Sequence, residues 1–119
     1  MNDKSTVLPL EKLEAERTKT QRELARLYSL LKNELDPNVE EAAVELSERG
    51  IILSLIREET RKLQEIDHAL QYMRQGEYGI CERCSQPIDP ERLAAVPETT
   101  FCFECKVVVE RTTRARTSS

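Results

Sequence analysis

Tryptophan is absent from this chain of 119 residues, and three tyrosines and two phenylalanines are its only other aromatics. So few rings leave little with which to stack on the bases of a single-stranded nucleic acid. Histidine occurs once, as His68, and glycine three times. No nucleophile–base pairing and no glycine-rich phosphate loop can be assembled from such a set, which argues against an enzyme. No stretch approaches the roughly 18 apolar residues of a membrane span, and Met1 to Thr6 lack the basic start and apolar run of a signal peptide. The expectation is a cytoplasmic protein without a membrane partner.

What remains is 39% hydrophobic and 34% charged, a lean supply for a globular core. Long amphipathic helices suit it, because each buries one stripe and leaves the rest wet. The net charge of −4 is unevenly spread. Residues 1–37 balance, 38–60 are net −4, 81–105 are net −3 and 106–119 are net +3. Phosphate neutralisation needs clustered Lys and Arg, so sequence-specific DNA binding is not expected. The arginines Arg111, Arg114 and Arg116 are the best argument for the opposite view, a nucleic-acid-binding zinc ribbon.

All four cysteines fall in two C-x-x-C pairs, Cys81/Cys84 and Cys102/Cys105, with seventeen residues between them. Two such knuckles read as one tetrahedral zinc site, each supplying two thiolates from a tight turn. Disulfides require an oxidising compartment, and a redox C-x-x-C requires a βαβ context that this chain does not offer. Four soft anionic sulfurs favour zinc over magnesium or calcium. With every position filled by thiolate, the zinc is structural, contributing on the order of 10–16 kcal/mol in small fingers.

Two helices are expected ahead of the cysteines. Over residues 8–35, Leu10, Leu13, Leu24, Leu27 and Leu31 recur at three-four spacing, with Arg17 and Thr20 interrupting. Pro9 is tolerable in a first turn, and Asp36-Pro37 ends the run. Asn38 is a good N-cap, and Glu41 completes a capping box for a second helix. Its seam runs Ile52, Ile56, Leu63, Ile66, Leu70 and Met73, with Glu59 as a polar defect and Gly50 unexplained. Gly76 closes it. The two seams predict an antiparallel hairpin with arms of roughly 45–50 Å and a turn at 36–43. Residues 103–116 predict a short last helix. His68 lies off the seam and reads as a solvated helix residue. A coiled-coil adaptor pairing with another chain remains an alternative, since heptads do not distinguish intrachain from interchain partners.

Tyr78-Gly79, Cys81, Cys84, Ile88, Arg92-Leu93, Ala95, Pro97, Cys102 and Cys105 together resemble the DksA/TraR zinc-finger family, and the preceding hairpin fits as well. The resemblance implies a bacterial transcription regulator, of the kind linked to stress responses, that binds RNA polymerase rather than DNA. Its coiled coil would enter the secondary channel of the polymerase. The family's acidic tip pattern falls on Asn38, Glu41 and Ala43 here. Ala43 matches, Glu41 keeps the charge on a longer arm, and Asn38 loses it. The positions at which the family binds the alarmone ppGpp fall on Glu65, Val96 and Lys106, of which only Lys106 is basic. Ser85 stands where the family has glycine, a position expected to need positive φ. Arg92 and Lys106 are candidate partner contacts. The expected architecture is all-α: a coiled-coil hairpin over 1–76, then a four-cysteine finger with a C-terminal helix over 77–119.

Overall fold

The computed structural model describes residues 4–34 and 46–117. Four helices follow one another: α1 (Lys4–Glu34), α2 (Leu46–Arg74), α3 (Pro90–Ala95) and α4 (Phe103–Thr117). Among the described residues the extended structure is a single antiparallel bridge between Ile80 and Pro87. The all-α expectation holds, with two long helices ahead of the cysteine-rich segment. The chain divides into two compact units, Glu14–Ile66 and Met1–Leu13 with Asp67–Ser119. The expected turn, with Asn38, Glu41 and Ala43, lies outside the described residues.

α1 starts four residues earlier than the spacing predicts, so Pro9 sits inside the helix rather than in its first turn. The cost is limited by position. The first four amides of a helix have no partner in any case, and Pro9 removes only one of the earliest intrahelical bonds. At the other end Lys32 lies in the last turn, where a cation favours the helix dipole.

Within the unit Glu14–Ile66, α1 and α2 pack along their seams, antiparallel as the hairpin requires. Leu27 from α1 and Ile56 and Ile66 from α2 are buried. Thr20, which looks like an interruption in the sequence, is in fact a seam residue, 1% exposed. It is one heptad from both Leu13 and Leu27, which are buried as well. Its hydroxyl has no hydrogen-bond partner. Thr20 and the second polar defect, Glu59, line one groove of about 780 Å³ with Lys19, Arg22, Arg26 and Lys62. Lys62 Nζ reaches across to Glu16 Oε2 at 3.0 Å, a partly exposed pair worth no more than about 1 kcal/mol. The coil is therefore apolar on either side of a polar stretch.

In the other unit, Leu13, Ala69 and Leu70 are buried. α2 ends as the sequence predicts. Gly76 takes φ 75°, its amide donates to Met73 O at 3.1 Å, and the Glu77 amide donates to Tyr72 O at 2.9 Å. That pair of bonds is a Schellman closure, which needs a residue free of Cβ strain at its left-handed position. The helix α3 is an addition to the elements that periodicity predicts. Asp89 caps it by accepting from the Glu91 amide at 3.0 Å, and Pro90 occupies its first turn.

Two substitutions test the cost of the defects in the coil. Thr20→Val swaps an unpartnered buried hydroxyl for a methyl of similar size and should stabilise by about 1 kcal/mol. A Cβ added at Gly50 would meet no atom within 4 Å, so this residue of α2 faces open space. Gly50→Ala should therefore gain up to about 1 kcal/mol. Both are read as higher midpoints in chemical denaturation.

Candidate metal centre

The four sulfurs lie within 4.8 Å of one another. Cys84 Sγ and Cys102 Sγ are 3.9 Å apart, close to the edge of about 3.8 Å expected when each sulfur lies about 2.3 Å from a shared zinc. A disulfide would hold them near 2.05 Å, so that alternative fails on distance. The donor set fits zinc in number, softness and geometry, and the protein carries one structural zinc ion held by Cys81, Cys84, Cys102 and Cys105. When bound, the ion joins the two knuckles, and no open coordination position is left for a substrate.

Each knuckle is shaped by its backbone. In the first, the Ser85 amide returns to Cys81 O at 2.9 Å and the Cys81 amide donates to Gln86 O at 2.8 Å. Ser85 takes φ 64°, the left-handed conformation expected for that position. The second knuckle uses a helix start. Cys102 directly precedes α4, and its sulfur accepts the Cys105 amide at 3.4 Å, as an N-cap side chain would. The Glu82 amide donates to Thr100 O at 2.8 Å and so ties the first knuckle to the approach of the second. Burial resists ionisation of Cys81, yet the amides of Cys102, Cys84 and Arg83 carry its pKa down to about 6. Arg83 Nη1 donates to Cys105 Sγ at 3.5 Å, and that sulfur raises the arginine's own pKa.

Beneath the centre, Cys81, Ile88 and Cys105 form a small buried core against Leu93, Phe101 and Cys102. The motif residues around the cysteines also hold this module together. Gly79 adopts φ 92°, and a Cβ there would meet Leu93 Cδ1 at 3.7 Å. Tyr78 Oη donates to Pro97 O at 3.0 Å. Burial, aided by Glu98, pushes the Tyr78 phenol up to about 12, so it remains a donor throughout the neutral range. Arg92 Nε donates to Phe101 O at 3.1 Å and Nη2 to Thr99 Oγ1 at 3.4 Å, with the guanidinium 5.9 Å from the Phe103 ring centre. Lys106 Nζ lies 5.8 Å from the Phe101 ring centre. Both candidate contact residues thus sit beside the two phenylalanines, Arg92 with much of its fork already engaged. Phe103 itself is 66% exposed.

His68 does more than its place off the seam suggests. Its Nε2 lies 2.7 Å from Glu82 Oε2, and its ring rests 4.8 Å from that of Tyr72. The i,i+4 spacing of His68 and Tyr72 is visible in the sequence, but a partner fourteen residues on is not. Burial raises the Glu82 carboxyl, while hydrogen bonds from Thr100, His68 and Tyr72 more than offset this and hold it below its ordinary value. A depressed carboxyl contributes stability above its unfolded pKa and loses it as pH falls through the folded value. At neutral pH that contribution is fully present, so Glu82→Gln should remove it and lower the melting temperature of the zinc-loaded protein. In the same assay at neutral pH, Ser85→Gly should stabilise by about 1 kcal/mol, because glycine adopts the left-handed conformation without strain.

Comparison with known proteins agrees with this geometry. Residues 76–111 match the prokaryotic dksA/traR C4-type zinc finger. An uncharacterized protein of Aquifex aeolicus is 49% identical over 53 residues, 44% of this chain but only 37% of that protein. The RNA polymerase-binding transcription factor DksA of Caulobacter vibrioides is 34% identical over 116 residues, covering 96% of this chain and 82% of its own. The structure of transcription factor DksA2 from Pseudomonas aeruginosa superposes with a TM-score of 0.79 at 27% identity, covering 95% of this chain and 88% of that one. With the finger and the helices ahead of it both matched, the chain belongs to the DksA/TraR family of C4 zinc-finger proteins.

Proposed function

We propose that this protein regulates bacterial transcription by binding RNA polymerase directly and inserting its coiled coil into the secondary channel. The observation that carries the reading is the relationship, at 34% identity over 116 residues, to a protein named for binding RNA polymerase. That match spans the helices as well as the finger. The chemistry of the site supports it, since a centre closed by four thiolates is built to hold a fold rather than to turn over a substrate. The family is one of transcription factors, not of enzymes, and among the described residues no helix is long and apolar enough to cross a membrane.

In this reading the turn of the hairpin delivers the effect, through Asn38, Glu41 and Ala43. Arg92 and Lys106 contact the polymerase surface, where cations at the rim of an interface serve orientation and encounter more than affinity. Dependence on ppGpp does not form part of the proposal. A tetraphosphate ligand calls for several cations, whereas Glu65 is acidic and Val96 neutral, leaving Lys106 alone.

The purified protein should co-elute with core RNA polymerase and compete with a known secondary-channel factor. Failure in both would refute the proposal, and retention of labelled DNA on a filter at moderate salt would favour the zinc-ribbon alternative. In reconstituted transcription, Glu41→Lys and Ala43→Thr should bind the polymerase but lose most of the regulatory effect. Wild-type regulation by both variants would reduce 36–43 to a capped turn.

A further inference from the structure

The first knuckle carries Arg83 between its two ligands, and the guanidinium crosses to the other knuckle, Nη1 to Cys105 Sγ at 3.5 Å. Two other cations close to the centre are engaged elsewhere. Arg92 holds Phe101 O and Thr99, and Lys106 lies over the Phe101 ring. The acidic residues of the knuckles add to the electrostatic load. A divalent ion among four thiolates leaves two negative charges in excess, and Glu82 and Glu104 each sit between two of the ligands. Glu82 is faced by His68. Among the described residues, Arg83 is the cation that the structure places in hydrogen-bonding contact with a ligand sulfur.

We propose that Arg83 is a positioning residue of the metal centre, which sets how tightly the four cysteines hold zinc. Its N–H group orients the Cys105 sulfur and draws electron density from it. Its charge offsets half of the excess on the centre. Because the bond runs from the first knuckle to the second, it also holds the two halves together as the ion binds. The proposal rests on the zinc assignment and is independent of polymerase binding, so either can fail without the other.

The test is competition for zinc between the full chain and a chromophoric chelator. Loss of an outer-shell partner typically weakens metal binding by about 10–100-fold, and that is the loss expected for Arg83→Ala. Arg83→Lys keeps the charge without the planar fork and should recover part of it. Arg111, an exposed arginine on α4, serves as the control, and Arg111→Ala should bind zinc within about twofold of wild type. Arg83 is exposed, so each zinc-loaded variant should keep the wild-type circular dichroism spectrum. In the cobalt-substituted protein, losing the bond to sulfur should move the thiolate-to-metal charge-transfer band of Arg83→Ala to lower energy. Wild-type affinity and an unmoved band in Arg83→Ala would overturn the proposal. Equal weakening by Arg111→Ala would do the same, since net charge alone would then explain the effect.

Discussion

Four thiolates brought within tetrahedral reach of one another are the constraint on which the C-terminal half of this molecule depends. Unscreened, they repel; around a divalent ion they become the strongest attraction in the module. The apolar core beneath them consists of little more than Ile88, Leu93, Phe101 and the cysteines themselves. So small a cluster cannot offset the conformational entropy of ordering the segment from 77 to 102. The metal and the core are therefore parts of one folding event.

Around this centre the polar contacts join segments that the metal alone would leave loosely connected. Tyr78 fastens the lead-in to Pro97, Arg92 fastens α3 to the approach at Thr99 and Phe101, and Glu82 joins Thr100 to His68 on α2. The Glu82 contacts start from a ligand-bearing turn, while the other two join the segments that lead into and between the knuckles. The coil in Glu14–Ile66 relies on different physics. Its seam is hydrophobic burial interrupted by Thr20, Glu59 and a solvated ion pair, so stability is given up in its middle turns. Polar residues in a seam disfavour slipped registers as well as weakening the native one.

Much of this is legible in the sequence because local rules settle it. The cysteine spacing, the Gly76 closure, the strained Ser85 and the start of α4 depend on residues within a few positions of one another. The helix α3 is equally local. Asp89-Pro90-Glu91 is a cap, a first-turn proline and a first-turn acid, a signal that a search for longer periodic helices passes over. Thr20 is misread for another reason: polarity suggests exposure, whereas heptad position decides it. The contacts of His68 with Glu82 and of Arg83 with Cys105 are beyond reach. Both depend on how the knuckles fold back on each other, and spacing along the chain does not encode that distance.

Cys102 has two roles that are easily taken for one. Its sulfur is a zinc ligand and also the acceptor that satisfies an amide in the first turn of α4. Separate lone pairs of one atom thus serve coordination chemistry and the first turn of the fifteen-residue helix that follows. Alkylation or oxidation at this one atom would strip a ligand from the ion and unseat the start of a helix together. Loss of this sulfur from the centre would thus also cost α4 its cap, about 1 kcal/mol at its first turn.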